Sequence, residues 1–291
     1  MTNKFNILVT GSNGQVGSEI RKLSKDYNYN FFFTTSTNLD ITEDNKVKEY
    51  IESNKINTII NSAAYTAVDN AEEDSANANN INHLAIQNIA QISKDNNIKL
   101  IHISTDYVFD GKNFKPYCED DKTNPNSVYG QTKLDGEKAI LEYNLKNSII
   151  IRTSWVYSSF GNNFVKTMLK LGKEKDSLGV IFDQVGTPTY AKDLAQTILA
   201  ILPNIKNENV EIYHYSNEGV ASWYDFSKAI MQEADINCTI NPIESKAYPA
   251  PVKRPHYSVL NKSKIREKYN LEIPYWRDSL RACLKNLGEY K

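Results

Sequence analysis

The chain has 291 residues, 40% of them hydrophobic and 24% charged, with 34 Lys and Arg set against 35 Asp and Glu. The resulting net charge of −1 gives no electrostatic footing for nucleic acid or another polyanion. No apolar run approaches the ~18 residues of a membrane helix, and the length suits one large domain or two intimate ones.

The first residues, MTNKFNILVTGSNG, enter a strand-like run without the apolar stretch of a secretory leader, so a cytoplasmic location is expected. The three cysteines, Cys118, Cys238 and Cys283, are scattered and odd in number, as reduced thiols in that compartment are. The four histidines show no metal-ligand spacing, and His102 lies inside an apolar strand, where a core or packing role is expected.

In chain order, short apolar runs alternate with longer amphipathic segments. Strands are predicted over 5–10, 30–35, 58–64, 99–105 and 148–154, with helices over 15–26, 43–54, 79–96 and 129–145 between them. This alternation predicts an α/β fold, a doubly wound parallel sheet covered by helices on both faces. The near-continuous apolar character of the strands agrees, because both faces of such a sheet are buried. After residue 154 the rhythm weakens. Helices are predicted over 163–171, 191–202, 223–234 and 276–287, with Ser222 and Asp225 forming a capping box for the third. The stretch AYPAPVKRPHY (247–257) reads as proline-rich loop. A nucleotide-binding domain over 1–153 and a smaller mixed α/β lobe over 154–291 are expected, with segments free to cross back.

The turn after the first strand reads Gly11-Ser-Asn-Gly14-Gln-Val-Gly17. Glycines there let backbone N–H groups approach a pyrophosphate, and the following helix presents its positive end to it. The spacing is G-x-x-G-x-x-G, but its place between a strand and a helix supports a dinucleotide site. The second strand ends in Thr35-Ser36-Thr37, with no acid before Asp40 and no arginine close in sequence. Small hydroxyls do not repel a 2′-phosphate, so NADPH is expected, with NADH also accepted. Asp40 either bonds the adenine side of the cofactor or starts the turn before the second helix.

Two Tyr-x-x-x-Lys pairs occur, Tyr129/Lys133 and Tyr224/Lys228, about as many as chance allows. Context separates them. Tyr129 opens the helix after the fourth strand, whose carboxyl end carries Ser104-Thr105-Asp106, where open α/β sheets bind ligands. Tyr129 and Lys133 share a helix face. The ammonium is expected to lower the phenol's pKa while holding ribose hydroxyls. Ser104 and Thr105 point to opposite faces, so one of the two serves as the polarising hydroxyl. Tyr224 has Trp223 and Phe226 beside it, which suggests packing.

With these motifs together, the chain resembles the extended short-chain dehydrogenase/reductases. Within them it is similar, nearly end to end, to the branch that reduces 4-keto groups of dTDP-linked 6-deoxysugars. The stretches that carry the likeness are VTGSNGQVGSE (9–19), NSAAYTAVDNAE (61–72), ISTDYVFDG (103–111), VYGQTKLDGEK (128–138), RTSWVY (152–157), GNNFVKTM (161–168), DQVGTPT (183–189) and RPHYSVL (254–260). The resemblance implies a Rossmann-type fold and a catalytic set of Thr105, Tyr129 and Lys133. It implies a cofactor site lined by Gly11, Gly14, Gln15, Val16, Asp40, Ile41, Ala63 and Ala64 together with Tyr129 and Lys133. It implies a nucleotide-sugar pocket lined by Val68, Asp106, Trp155, Asn163, Lys166 and Arg254 as well as Thr105 and Tyr129, with Arg254 on the diphosphate. The implied reaction is hydride transfer from NADPH to C4 of dTDP-4-dehydro-L-rhamnose, giving dTDP-L-rhamnose, with Tyr129 supplying the proton.

Alternatives are another dTDP- or UDP-linked 4-keto sugar, or a non-catalytic regulatory subunit of the same fold; the intact Thr105, Tyr129 and Lys133 favour an enzyme. Some members of the family pair subunits through magnesium held by acids matching Glu19 and Asp193. Lys192 stands here where a further acid belongs, so no metal and a monomer or weak homodimer are expected.

Overall fold

The computed structural model describes residues 5–248 and 250–290. The first half alternates as the apolar runs require: β1 (Asn6–Thr10), α1 (Gln15–Leu23), β2 (Asn30–Phe33), α2 (Asp44–Ser53) and β3 (Thr58–Asn61). Next come α3 (Ser75–Asn79) and α4 (Ala85–Asp95), joined by a π turn over Asn80–Leu84, then β4 (Lys99–Thr105), α5 (Val128–Tyr143) and β5 (Ile149–Thr153). The second half holds β6 (Val156–Tyr157), α6 (Phe164–Glu174), β7 (Ser177–Ile181), β8 (Val185–Gly186), β9 (Thr189–Tyr190) and α7 (Ala191–Ile201). It closes with β10 (Glu211–His214), β11 (Ala221–Ser222), α8 (Trp223–Glu233), β12 (Thr239–Ile243), α9 (Ser263–Tyr269) and α10 (Trp276–Leu287).

The main sheet has six strands in the order β10-β5-β4-β3-β1-β2, and each adjacent pair is parallel. Successive residues face opposite layers. Ile7, Val9, Ile60, Ile101, Ile149 and Ile151 pack with α1 and α7. Leu8, Ile59, Leu100 and Ile150 pack with α2, α4 and α5. The strand order reverses between β1 and β3, so the ligand crevice of this doubly wound sheet lies at their carboxyl ends. The glycine turn after β1 sits at that crevice.

The lobe expected over 154–291 lends part of itself to this sheet: β10 pairs with β5, and α7 buries Leu194, Ala195, Ile198 and Leu199 in the core shared with α1. A separate core forms where α6, α8 and α10 meet, around Val165, Phe226, Ile230, Trp276 and Leu280. The capping box at α8 is present: Asp225 N–H donates to Ser222 Oγ, and Ser222 N–H donates to the Asp225 carboxylate.

The helix predicted over 79–96 starts earlier, at Ser75, and contains the π turn. Within that turn, Asn82 Oδ1 accepts from Tyr65 N at 2.9 Å, and Asn82 Nδ2 donates to Tyr65 O and to Thr132 Oγ1. One amide thus ties the loop after β3 to α5 beside the crevice. The loop predicted over 247–257 is non-regular from Tyr248 onward; Pro249 lies outside the described residues.

Candidate active site

Gly11 ends β1 with φ +63°, and a Cβ there would lie 2.6 Å from Ala63 N. A Cβ at Gly17 would lie 2.5 Å from the Gly11 carbonyl oxygen. Only glycine lets β1, the turn and α1 approach this closely. Gly14 caps α1 without any side-chain cap bond, so the first-turn N–H groups are left for a phosphate. The residues present fit a dinucleotide. Gln15 opens α1 and also reaches the second lobe: Asn163 Nδ2 donates to Gln15 Oε1, and Gln15 Nε2 donates to Val156 O. Val16 and Ile41 are buried, and Ala63 and Ala64 are half-buried. Asp40 Oδ1 accepts from Thr42 N at 3.0 Å and from Thr42 Oγ1 at 2.8 Å.

At the carboxyl end of β4 the two hydroxyls have different partners. Ser104 Oγ donates to Glu137, part of a buried ion pair with Arg152. Thr105 turns the other way. Its Oγ1 donates to Asp106 Oδ1 at 3.0 Å and accepts from Tyr107 N at 3.2 Å. The Thr105 hydroxyl also lies beside the Tyr129 phenol. Burial pushes the Tyr129 phenol up to about 12, with the Thr105 hydroxyl opposing it and the Asp106 charge adding to it. At neutral pH the phenol therefore keeps its proton and is ready to donate it.

Lys133 is fully buried. Its Nζ donates to Ile103 O at 2.7 Å and lies 3.2 Å from His102 Nε2. Burial lowers its pKa to about 8, with Glu137 opposing the shift. The ammonium directs two of its three N–H groups at a backbone carbonyl and an imidazole below it. His102 is consequently more than packing. Its other ring nitrogen, Nδ1, lies 3.0 Å from Asn61 Nδ2, so both nitrogens are engaged. Burial, then the charge of Lys133, holds its pKa well below the usual value.

Next to the crevice opens a cavity of about 1290 Å³, lined by Asp106, Tyr107, Trp155, Trp223, Arg254 and Asp69 among others. Of the residues expected in a nucleotide-sugar pocket, Asp106, Trp155 and Arg254 line it. Thr105, Tyr129, Val68, Asn163 and Lys166 do not: Asn163 caps α6 and bonds Gln15, and Lys166 Nζ donates to Gly161 O. Trp155 holds a left-handed φ of +48°, a strained setting for a bulky residue. It is kept there by stacking on Trp223, with ring centroids 3.6 Å apart. Arg254 Nη2 donates to Asp69 Oδ2 at 2.6 Å, while Arg254 Nη1 and Asp69 Oδ1 are buried without partners. Asp69, Tyr107 and Trp223 escaped the sequence reading, although the first two lie inside stretches that carry the family likeness.

Asp106 is buried with its Oδ2 lacking a partner, and that burial raises its pKa to about 7 against the hydrogen bond from Thr105. Folding therefore favours the protonated form. That contribution is complete below the ordinary Asp value near 3.8 and is lost as pH rises through about 7. Asp106→Asn, which cannot titrate, is expected to gain stability over wild type between pH 4 and 7 by on the order of 1 kcal/mol per pH unit. Urea unfolding at pH 5 and pH 7.5 checks this; a difference that does not change with pH contradicts it.

The two acids at the positions matching the family's magnesium ligands make hydrogen bonds within the protein, and Glu19 Oε2 is buried without a partner. Glu19 is buried and its Oε1 accepts from Ser158 Oγ at 2.6 Å. Asp193 accepts from Asn217 Nδ2 and Ser279 Oγ. Among the described residues no three His, Cys, Asp or Glu side chains come together as a metal site, and no helix is long and apolar enough to cross a membrane.

Comparison with known proteins agrees with this geometry over the whole length. The chain is 41% identical over 294 residues to dTDP-4-dehydrorhamnose reductase of Aggregatibacter actinomycetemcomitans, covering 98% of each protein. It superimposes with a TM-score of 0.91 on the crystal structure of a dTDP-4-dehydrorhamnose reductase from Clostridium acetobutylicum, at 40% identity and covering 97% of this chain and 99% of that one. The TM-score is 0.92 for the dTDP-4-dehydrorhamnose reductase of Bacillus anthracis in complex with NADP, at 35% identity and the same coverage. Residues 5–289 match the model of the RmlD substrate binding domain, and the chain, with its Rossmann-type sheet, belongs to that family.

Proposed function

We propose that this chain is an oxidoreductase that reduces the C4 keto group of dTDP-4-dehydro-L-rhamnose to dTDP-L-rhamnose, a step in supplying a cell-surface sugar donor. Bound NADPH supplies the hydride. The observation that carries the reading is the glycine turn that leaves the first N–H groups of α1 for a phosphate, beside a cavity of about 1290 Å³ that bears Asp106 and Arg254. Tyr129 gives its proton to the alkoxide at C4. Thr105 orients the carbonyl oxygen through its hydroxyl, itself fixed by Asp106 and the Tyr107 N–H. Lys133 holds the cofactor ribose and keeps positive charge beneath the site. Arg254, with its free Nη1, takes the diphosphate by exchanging Asp69 for phosphate oxygens. Trp155 walls the sugar. The enzyme works in the cytoplasm as a monomer or weak homodimer without a metal.

Turnover with a panel of dTDP- and UDP-linked 4-keto-6-deoxysugars, with the C4 configuration of the product assigned, tests this. The dTDP-4-dehydro-L-rhamnose reaction is expected to show the highest kcat/KM. Preference for another sugar or for UDP overturns the substrate assignment, and no turnover at all with nucleotide binding retained points to a non-catalytic role. In the same assay NADPH is expected to be used at least as well as NADH. A tenfold higher kcat/KM for NADH, about 1.4 kcal/mol the other way, contradicts it.

A further inference from the structure

The end of β2 carries no acid in sequence, and no arginine stands near it along the chain. The fold supplies one from α1. Arg21 Nη2 donates to Ser12 Oγ at 2.8 Å, and its guanidinium carbon lies 4.3 Å from the centroid of the Phe33 ring, the last residue of β2. Ser12 follows Gly11 in the phosphate turn, and its N–H donates to Thr34 O at 2.9 Å. The guanidinium is thereby held at the seam between the glycine turn and the carboxyl end of β2. In a doubly wound dinucleotide site this is where the 2′ position of the adenine ribose is read.

The charges around Arg21 sharpen the point. Arg152, Arg254, Arg266, Arg277 and Arg281 each pair with a carboxylate. Arg21 is the sixth arginine and, among the described residues, forms no ion pair. It is exposed. The chain beyond Phe33 offers Thr35, Ser36 and Thr37, with Thr35 Oγ1 and Thr37 Oγ1 2.7 Å apart. The first acid, Asp40, has one carboxylate oxygen committed to Thr42. One unpaired guanidinium, three small hydroxyls and no free-standing carboxylate make a place for a dianion rather than for a neutral diol. A guanidinium stacked on an aromatic face and anchored through one nitrogen is also pre-oriented, so little freedom is lost when its other N–H groups meet phosphate oxygens.

We propose that Arg21 is the specificity-determining residue for the cofactor, reading the 2′-phosphate of NADPH, with Ser12 and Phe33 positioning its guanidinium. The assignment rests on the NADPH reading above and names the residue responsible for it.

Equilibrium binding to the full chain tests it without turnover. Dissociation constants for NADP⁺, NAD⁺, 2′,5′-ADP and 5′-AMP are measured by calorimetry for wild type, Arg21→Gln and Arg21→Lys, with thermal unfolding to verify that each variant is folded. Wild type is expected to bind NADP⁺ and 2′,5′-ADP more tightly than NAD⁺ and 5′-AMP. In Arg21→Gln the two phosphorylated ligands are expected to weaken by about 10- to 100-fold, the scale of one charged hydrogen-bond contact. NAD⁺ and 5′-AMP are expected to stay within about twofold, and Arg21→Lys to fall between. If wild type prefers NADP⁺ and Arg21→Gln keeps that preference, the assignment of Arg21 is overturned. It is overturned equally if phosphorylated and unphosphorylated ligands weaken together. If wild type binds NAD⁺ at least as tightly as NADP⁺, the cofactor reading itself fails.

Discussion

Tyr129→Phe lowers kcat by about 10²–10⁴ while cofactor binding changes little, and Tyr224→Phe leaves kcat within about threefold. The two residues share the same spacing to a lysine, yet their surroundings differ in kind. The Tyr129 phenol meets Thr105 at the mouth of the crevice, and its high pKa keeps the proton in place until an alkoxide needs it. Phenylalanine removes that proton and little else. The ring still meets Tyr107 edge-on, with centroids 5.5 Å apart, and Lys133 stays anchored to the Ile103 carbonyl. Loss of a proton donor used only in the transition state lowers kcat and kcat/KM together. Tyr224 packs on α8 at the core of the second lobe, beside Trp223 and Phe226. Its hydroxyl has no part in the crevice. Steady-state kinetics of both variants decides the matter: equal losses, or an active Tyr129→Phe enzyme, remove Tyr129 from its role.

Arg152→Met destabilises the fold by about 3–5 kcal/mol, and adding Glu137→Leu restores much of that loss. Arg152 and Glu137 are 3% and 1% exposed, and their closest N–O distance is 2.7 Å. The contact is bidentate, since Arg152 Nε also donates to Glu137 Oε1 at 3.0 Å. Two ions taken out of water are tolerable here because each satisfies the other and Ser104 supplies a further bond to the carboxylate. Methionine keeps much of the arginine's apolar stem but abandons Glu137 in a low-dielectric core. Removing both charges removes that penalty, which is why the double variant is expected to exceed the single one in stability. Urea unfolding of wild type, single and double variants measures this. A single-variant loss under about 1 kcal/mol, the range of exposed pairs, contradicts a buried role for the pair.

Much of the first layer was legible because its signals are local. β1, β4 and β5 are buried on both faces and so read as unbroken apolar runs, and α8 announces itself through Ser222 and Asp225. β10 and α9 were not legible. The four residues Glu211–His214 become a strand because β5 offers a parallel edge, and Ser263–Tyr269 buries only Ile265, too little for an apolar stripe. The π turn at Asn80–Leu84 depends on Asn82 meeting Tyr65 and Thr132, which no local pattern encodes.

The site divides along the same line. The glycine turn and the spacing of Thr105, Tyr129 and Lys133 follow from local geometry, since a turn and a helix face are set by neighbours in sequence. The direction in which Lys133 spends its charge was decided by the sheet, which places Ile103 and His102 under α5. The pairing of Arg254 with Asp69 spans 185 residues. Arg21 meets Phe33 only because α1 returns alongside β2. Backbone periodicity reaches a few residues, whereas the partner of a charge is chosen by which elements the sheet order brings together. The sequence by itself therefore determined the layered fold, the glycine turn and the helix face shared by Tyr129 and Lys133, and the tertiary structure decided which charges stand free to hold a ligand.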